Sequence, residues 1–173
     1  MLNFLYKLLL TLNSTSWVIV IFCIKEEYTL WNLPIILFDI ILFLIPIILS
    51  AVSLLLALGL SKDTLNGGKE IENSNNSFIP TYLGYFFVGL SITSWESLIF
   101  VYLIIFIFTY LSQNQYFNPI YLLFGFKFYN ISTNQGVKIF VIAKSEIRFA
   151  SEATFNKLRR INNTTFIELR KKK

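Results

Sequence analysis

From Leu33 to Leu60 the chain reads LPIILFDIILFLIPIILSAVSLLLALGL, with Asp39 as its single charged residue. A bilayer core about 30 Å thick is crossed by about 20 helical residues, and inside it every backbone polar group must be satisfied within the segment. The stretch therefore reads as a membrane-spanning helix over about 33–60. Three further apolar runs cover about 4–24, 78–92 and 98–112. The first is long enough to span and the last two are short. Taken as one helix, 78–112 would be about 50 Å long at 1.5 Å per residue, more than an ordinary span uses. The polar interruption TSWES, Thr93 to Ser97, instead predicts a tight turn at the lipid interface, with Trp95 in the headgroup layer and Glu96 in water. Four transmembrane helices follow. The composition agrees: 55% of residues are hydrophobic and 14% charged, against about 25% charged in an average soluble chain.

The cations give the orientation. With four spans and both termini inside, Lys7, Lys62, Lys69 and every Lys or Arg after Leu111 face the cytoplasm, and Lys25 alone lies outside. A three-span arrangement would export Lys62 and Lys69. Lys7 followed by LLLTL resembles the start of a signal peptide, but no small-x-small cleavage site follows, and the polar NSTS at Asn13 to Ser16 runs directly into WVIVIFCI. The first helix is expected to stay uncleaved, in a multi-pass protein of a bacterial inner membrane.

Residues 1–114 thus read as a transmembrane domain whose polar, Asn- and Gly-rich connection 61–77 is a mobile cytoplasmic loop, with Gly67 and Gly68 supplying flexibility. Residues 115–173 read as a basic cytoplasmic α+β domain. Asn118-Pro119 breaks the helix. Two strands, near Phe126 to Ile131 and Val137 to Ala143, are joined by a turn with Gly136 at positive φ. The second strand is apolar nearly throughout and needs cover on both faces. SEATFNKLRRI is expected to provide it as a helix, with Ser151 at the N-cap, Phe155, Leu158 and Ile161 on one face, and Arg159 and Arg160 leaning away. TTFIEL is a final strand.

The residue inventory is poor in chemistry. Histidine is absent and Cys23 is the single cysteine, so the commonest general base, the commonest metal ligand and any disulfide are missing. No catalytic residue, metal site or cofactor is expected, and no enzymatic activity. Asp39 is the one acid well inside a span; it either faces a pore or sensing surface, or sits shallow enough to stay hydrated. Glu96 lies on the same outer side, and around an oligomer axis the two acids would form a cation-attracting ring. Pro46 should bend its helix. Ser50, Ser53 and Ala57 give that helix a small-residue face for close packing. Lys127, Lys138, Arg159, Arg160, Arg170, Lys171, Lys172 and Lys173 are candidates for binding a partner or anionic lipid.

Several spans followed by NPIYLLFGFKFYNI, GVKIFVIAKSEIR and LRRINNTTFIEL resemble the KwaA family, the membrane subunit of Kiwa, a two-component bacterial anti-phage system. The resemblance covers most of the chain in organisation and Asn118 to Leu169 in sequence character. It implies a homo-oligomeric inner-membrane sensor, a tetramer being the first expectation, that recruits or regulates a soluble DNA-binding effector through its cytoplasmic part and does not itself bind nucleic acid. The rival readings from the residues are a small ion channel or holin-like permeabilising protein, and a bacteriocin immunity protein.

Overall fold

A computed structural model describes residues 2–30, 32–112 and 118–169. Four helices carry the apolar runs: α1 (Leu2–Lys25), α2 (Ile35–Leu56, extended by a 3-10 turn at Ala57–Gly59), α3 (Ile79–Ser91) and α4 (Trp95–Ser112). Three of them, over Asn3–Lys25, Ile35–Gly59 and Trp95–Ser112, are long and apolar enough to cross a membrane. With 13 residues, α3 is about 20 Å long and short of that length. The turn expected over Thr93 to Ser97 is shorter than that: the chain breaks at 92–94, Trp95 to Ser97 already form the first turn of α4, and Ser94 caps the new helix by accepting from the Ser97 N–H at 3.2 Å.

The helix α1 packs against each of α2, α3 and α4, so it is the central one. Half of its spanning window is buried, against 22% for α2 and 6% for α4. Yet α1 carries the polar run Asn13 to Ser16, continuous in the helix, while α2 and α4 turn most of their large apolar side chains outward. That inversion suits lipid as solvent, because polar groups are then hidden among helices. Close approach of α3 to α1 depends on Gly89, where a Cβ would lie 2.9 Å from the Ile21 Cγ2 and 3.1 Å from the Val18 carbonyl.

The remaining strands form one six-stranded sheet: β1 (Lys62–Asn66), β2 (Glu70–Asn73), β3 (Lys127–Ser132), β4 (Lys138–Ala143), β5 (Thr154–Arg160) and β6 (Thr165–Glu168), in the order β1-β5-β6-β4-β3-β2. All neighbours are antiparallel except β4 and β6. The connection 61–77, expected to be a mobile loop, instead supplies both edge strands. Only Gly67, Gly68 and Lys69 separate those edges. Such a link reaches about 14 Å, whereas six flat strands would hold their outer members about 24 Å apart, so the sheet curls into a partly closed barrel. Gly67 N–H donates to Ala153 O, Gly68 N–H to Ala150 O and Lys69 N–H to Ser132 O, stitching the two edges. Here the glycines serve closure rather than flexibility: Gly67 has φ +75°, and a Cβ on Gly68 would sit 2.6 Å from the Ile131 Cγ2.

The helix expected over SEATFNKLRRI is a 3-10 turn at Ala150–Glu152 followed by β5. The misleading signal has a physical origin. Phe155 pairs with Leu65 and Leu158 with Asp63, so β5 carries one residue more than β1 between these pairs. That bulge brings residues three apart onto the same face, the spacing a helix also shows. Ile161 belongs to a different cluster altogether. Glu152 caps that 3-10 turn, accepting from the Arg148 and Phe149 N–H groups at 3.1 and 3.4 Å.

Inside the barrel, Tyr129, Val141, Phe155, Leu158 and Phe166 pack together, with Leu65 and Ile71 contributed by the edges. On the outer face, Phe128, Phe140, Ile142 and Ile167 pack against Tyr6 and Leu10 of α1, Ala57 and Leu60 at the end of α2, and Tyr121 of the short helix α5 (Pro119–Leu123). The apolar β4 is thus covered on both faces, by the barrel interior and by the helices. Gly136 takes φ +81° in the β3–β4 turn.

Candidate functional site

The sheet meets the helices at a junction built from polar side chains. Asn13 of α1, Ser50 of α2 and Asn118 are 1%, 0% and 4% exposed, so their amides and hydroxyl depend on one another rather than on water. With the Asn13 amide oxygen turned toward its donors, it accepts from Asn118 Nδ2 and from Ser50 Oγ, both at 2.8 Å, while its nitrogen donates to Pro46 O at 3.1 Å. Asn118 Nδ2 also donates to Ser50 Oγ at 2.8 Å. The Asn118 Oδ1 accepts from the Ile120 N–H at 3.0 Å, capping α5 with Pro119 in its first turn. A residue expected only as a helix breaker therefore fastens α5, and the strands after it, to two helices long and apolar enough to cross a membrane.

Two further bonds complete the junction. Ser53 Oγ and Tyr121 Oη lie 2.6 Å apart. Burial pushes the Tyr121 phenol up to about 12, against the opposing hydrogen bond with Ser53. Arg159 Nη1 donates to Leu60 O at 2.7 Å, tying β5 to the end of α2.

The other end of the bundle is aromatic. Trp95 meets Phe22 edge to face at 4.9 Å and Tyr28 at 5.1 Å, and Tyr28 meets Phe38 at 6.0 Å. The α1–α2 connection thereby ties α2 to α4. Lys25 lies at this end, donating to Ile92 O at 2.6 Å and paired with Glu26 at 2.8 Å.

The sequence-predicted residues distribute over both ends. Asp39 is half-buried in α2 and its Oδ1 is buried without a hydrogen-bond partner among the described residues. Glu96 is exposed in the first turn of α4. Among the described residues no hydrogen bond or ion pair joins these two acids within one chain. Pro46 is buried, its carbonyl within the junction. Ser50, Ser53 and Ala57 are fully buried, the two serines as hydrogen-bonding groups.

Of the basic candidates, Lys127 pairs with Glu146 at 3.1 Å. Lys138 is exposed beside Glu70 and Glu72 on the outer face of the sheet. Arg160 folds onto its own turn, donating to Asn162 O at 3.3 Å and Asn163 Oδ1 at 3.0 Å. Arg170, Lys171, Lys172 and Lys173 lie outside the described residues. The sequence reading missed Asn13, Asn118 and Tyr121 as contacts and the Trp95–Tyr28–Phe38 clasp. The signal available for the first was an asparagine in the middle of an apolar helix.

The family model for the anti-phage protein KwaA matches residues 6–167. The chain belongs to the KwaA family of anti-phage proteins. The match begins in α1 and ends in β6, so the family's common unit contains the helices, the junction and the whole curled sheet. It bears out the resemblance read from the sequence and gives the family role as anti-phage defence. No curated protein and no solved structure matches the chain.

Proposed function

We propose that the chain is a membrane-embedded sensor and scaffold whose sheet recruits or regulates a soluble, DNA-binding effector of the same defence system. In this reading four helices span the inner membrane of a bacterium, both termini are cytoplasmic, and the protein works as a homo-oligomer without catalysis of its own. The observation that carries it is the junction of Asn13, Ser50 and Asn118, which fixes the sheet to α1 and α2 by satisfied bonds inside the apolar layer. A displacement of those helices then has to move the sheet. The distribution of Lys and Arg supports a cytoplasmic sheet.

The sheet presents a face rather than free edges to such a partner, because β1 and β2 are drawn together by Gly67 to Lys69. Recognition by charge complementarity suits it better than strand addition.

The test is affinity purification of the full chain from detergent-solubilised membranes, before and after phage infection, with mass spectrometry of what is retained. A co-purifying soluble DNA-binding protein is expected. Retention of no partner, together with ion flux through liposomes holding the purified chain, would establish the channel reading in its place.

A further inference from the structure

Two hollows meet where α2 ends over the sheet. The first, about 320 Å³, is walled by Lys62, Lys157, Arg159 and Asn156, with Leu58 and Leu169 at its boundary. The second, about 530 Å³, shares Leu58 and Leu169 with it and runs on between Leu54 and Leu55 of α2 and Phe124 and Phe126 below the sheet, with Lys144 at its rim. Together they form one trough, cationic at one end and apolar at the other. Among the described residues no acidic side chain lines either part.

The cationic end has an electrostatic demand of its own. Lys62 and Arg159 are register partners across β1 and β5, so two like charges face each other on one face of the sheet, an arrangement that disfavours strand pairing by itself. Lys157 adds a third charge. Arg159 gives one nitrogen to Leu60 O, which leaves the rest of its donor fork available. An anion with several oxygens placed among the three would turn this repulsion into charge-assisted hydrogen bonds. The apolar end selects what carries that anion. It opens along the flank of a helix apolar enough to cross a membrane, where Leu55 and Leu58 are 68% and 54% exposed. Its volume falls within the ~300–1,000 Å³ usual for small-molecule sites.

We infer that this trough binds one anionic glycerophospholipid, with the phosphate among Lys62, Lys157 and Arg159 and an acyl chain along Leu54, Leu55 and Leu58 against Phe126. The site lies at the level where α2 leaves the apolar layer, so the bilayer itself supplies the ligand. The inference uses α2 as a membrane helix and is independent of effector recruitment. It differs from loose attraction of a basic tail to the leaflet, because one stoichiometric lipid is held by folded residues.

The probe is dioleoyl phosphatidylglycerol added to the full-length chain in a non-ionic detergent, read by native mass spectrometry, with dioleoyl phosphatidylcholine and free glycerol phosphate as comparisons. One phosphatidylglycerol per chain is expected, at least about tenfold preferred over phosphatidylcholine and not displaced by glycerol phosphate. Lys62→Gln with Lys157→Gln should lower its occupancy about tenfold, while Lys69→Gln, exposed in the β1–β2 link and outside both hollows, should leave it unchanged. Equal binding of phosphatidylcholine, displacement by glycerol phosphate, or an unaltered adduct in the double variant would each overturn the inference. The lipid preference and the competition use the unmodified chain, so they decide the matter even if the double variant does not fold.

Discussion

The two ends of the helix bundle are held by different chemistry. At the end away from the sheet, rings of Phe22, Tyr28, Phe38 and Trp95 meet edge to face over 4.9–6.0 Å. Toward the sheet, amides and hydroxyls of Asn13, Ser50, Asn118, Ser53 and Tyr121 meet at 2.6–2.8 Å with almost no exposure. Ring contacts have a broad range of acceptable geometries, each pair adding about 0.5–1.5 kcal/mol beyond its burial. Buried hydrogen bonds tolerate little, because losing one partner strands the other in an apolar medium. The aromatic end can therefore yield to a disturbance while the polar end keeps the sheet in register with α1 and α2. That division of labour suits the proposed role of a sensor that carries a scaffold.

The contrast is broken most severely at Asn118. Replacement by Leu removes the bonds to Asn13 and Ser50 and the cap of α5 together, a loss of about 3 kcal/mol from stranded polar groups. Thermal unfolding in detergent should fall accordingly, and limited proteolysis should now cut between the helices and the sheet. At the aromatic end, Trp95→Ala deletes two ring pairs of a half-exposed side chain and should cost about 2 kcal/mol, with proteolysis of the sheet unchanged. If Trp95→Ala loosened the sheet as Asn118→Leu does, the two ends would not be distinct.

A finer test concerns Tyr121. Its pKa is raised to about 12 from the ordinary 10, so the folded state holds the phenolic proton more tightly than the unfolded one. The associated stability is complete below pH 10 and is lost as pH rises to about 12. Tyr121→Phe should lose about 1 kcal/mol at neutral pH, from the bond to Ser53, and should be less sensitive to alkali over that window. Parallel alkaline unfolding of variant and wild type would contradict the assignment. The smallest effect is expected at Asp39. Its buried Oδ1 has no hydrogen-bond partner among the described residues, so Asp39→Asn should change the unfolding midpoint by less than the equivalent of about 1 kcal/mol, and in the stabilising direction. A marked destabilisation would reveal a partner for this carboxylate in another copy of the chain.

Much of the helical half was legible because hydropathy acts through long runs that nothing else in a sequence imitates. The TSWES break, the continuity of α1 across NSTS and the Gly136 turn all follow from local chemistry. The sheet was only half legible. Its edges β1 and β2 each turn a single apolar residue inward, Leu65 and Ile71, too little for alternation to show against Asn, Gly, Lys and Glu. A bulge gave β5 helical spacing. The junction was hidden for a different reason: Asn13 and Asn118 lie more than a hundred positions apart, each with a sound local reading, and only the fold reveals that they satisfy one another.

The most direct measurement is recruitment itself, compared across the two ends. Membranes carrying equal amounts of wild type, Trp95→Ala and Asn118→Leu are solubilised and the proposed soluble DNA-binding partner retained by each is quantified. Wild type and Trp95→Ala should retain it within about twofold of each other, and Asn118→Leu should retain about tenfold less. Undiminished retention by Asn118→Leu would contradict the claim that the junction holds the sheet in its docking position.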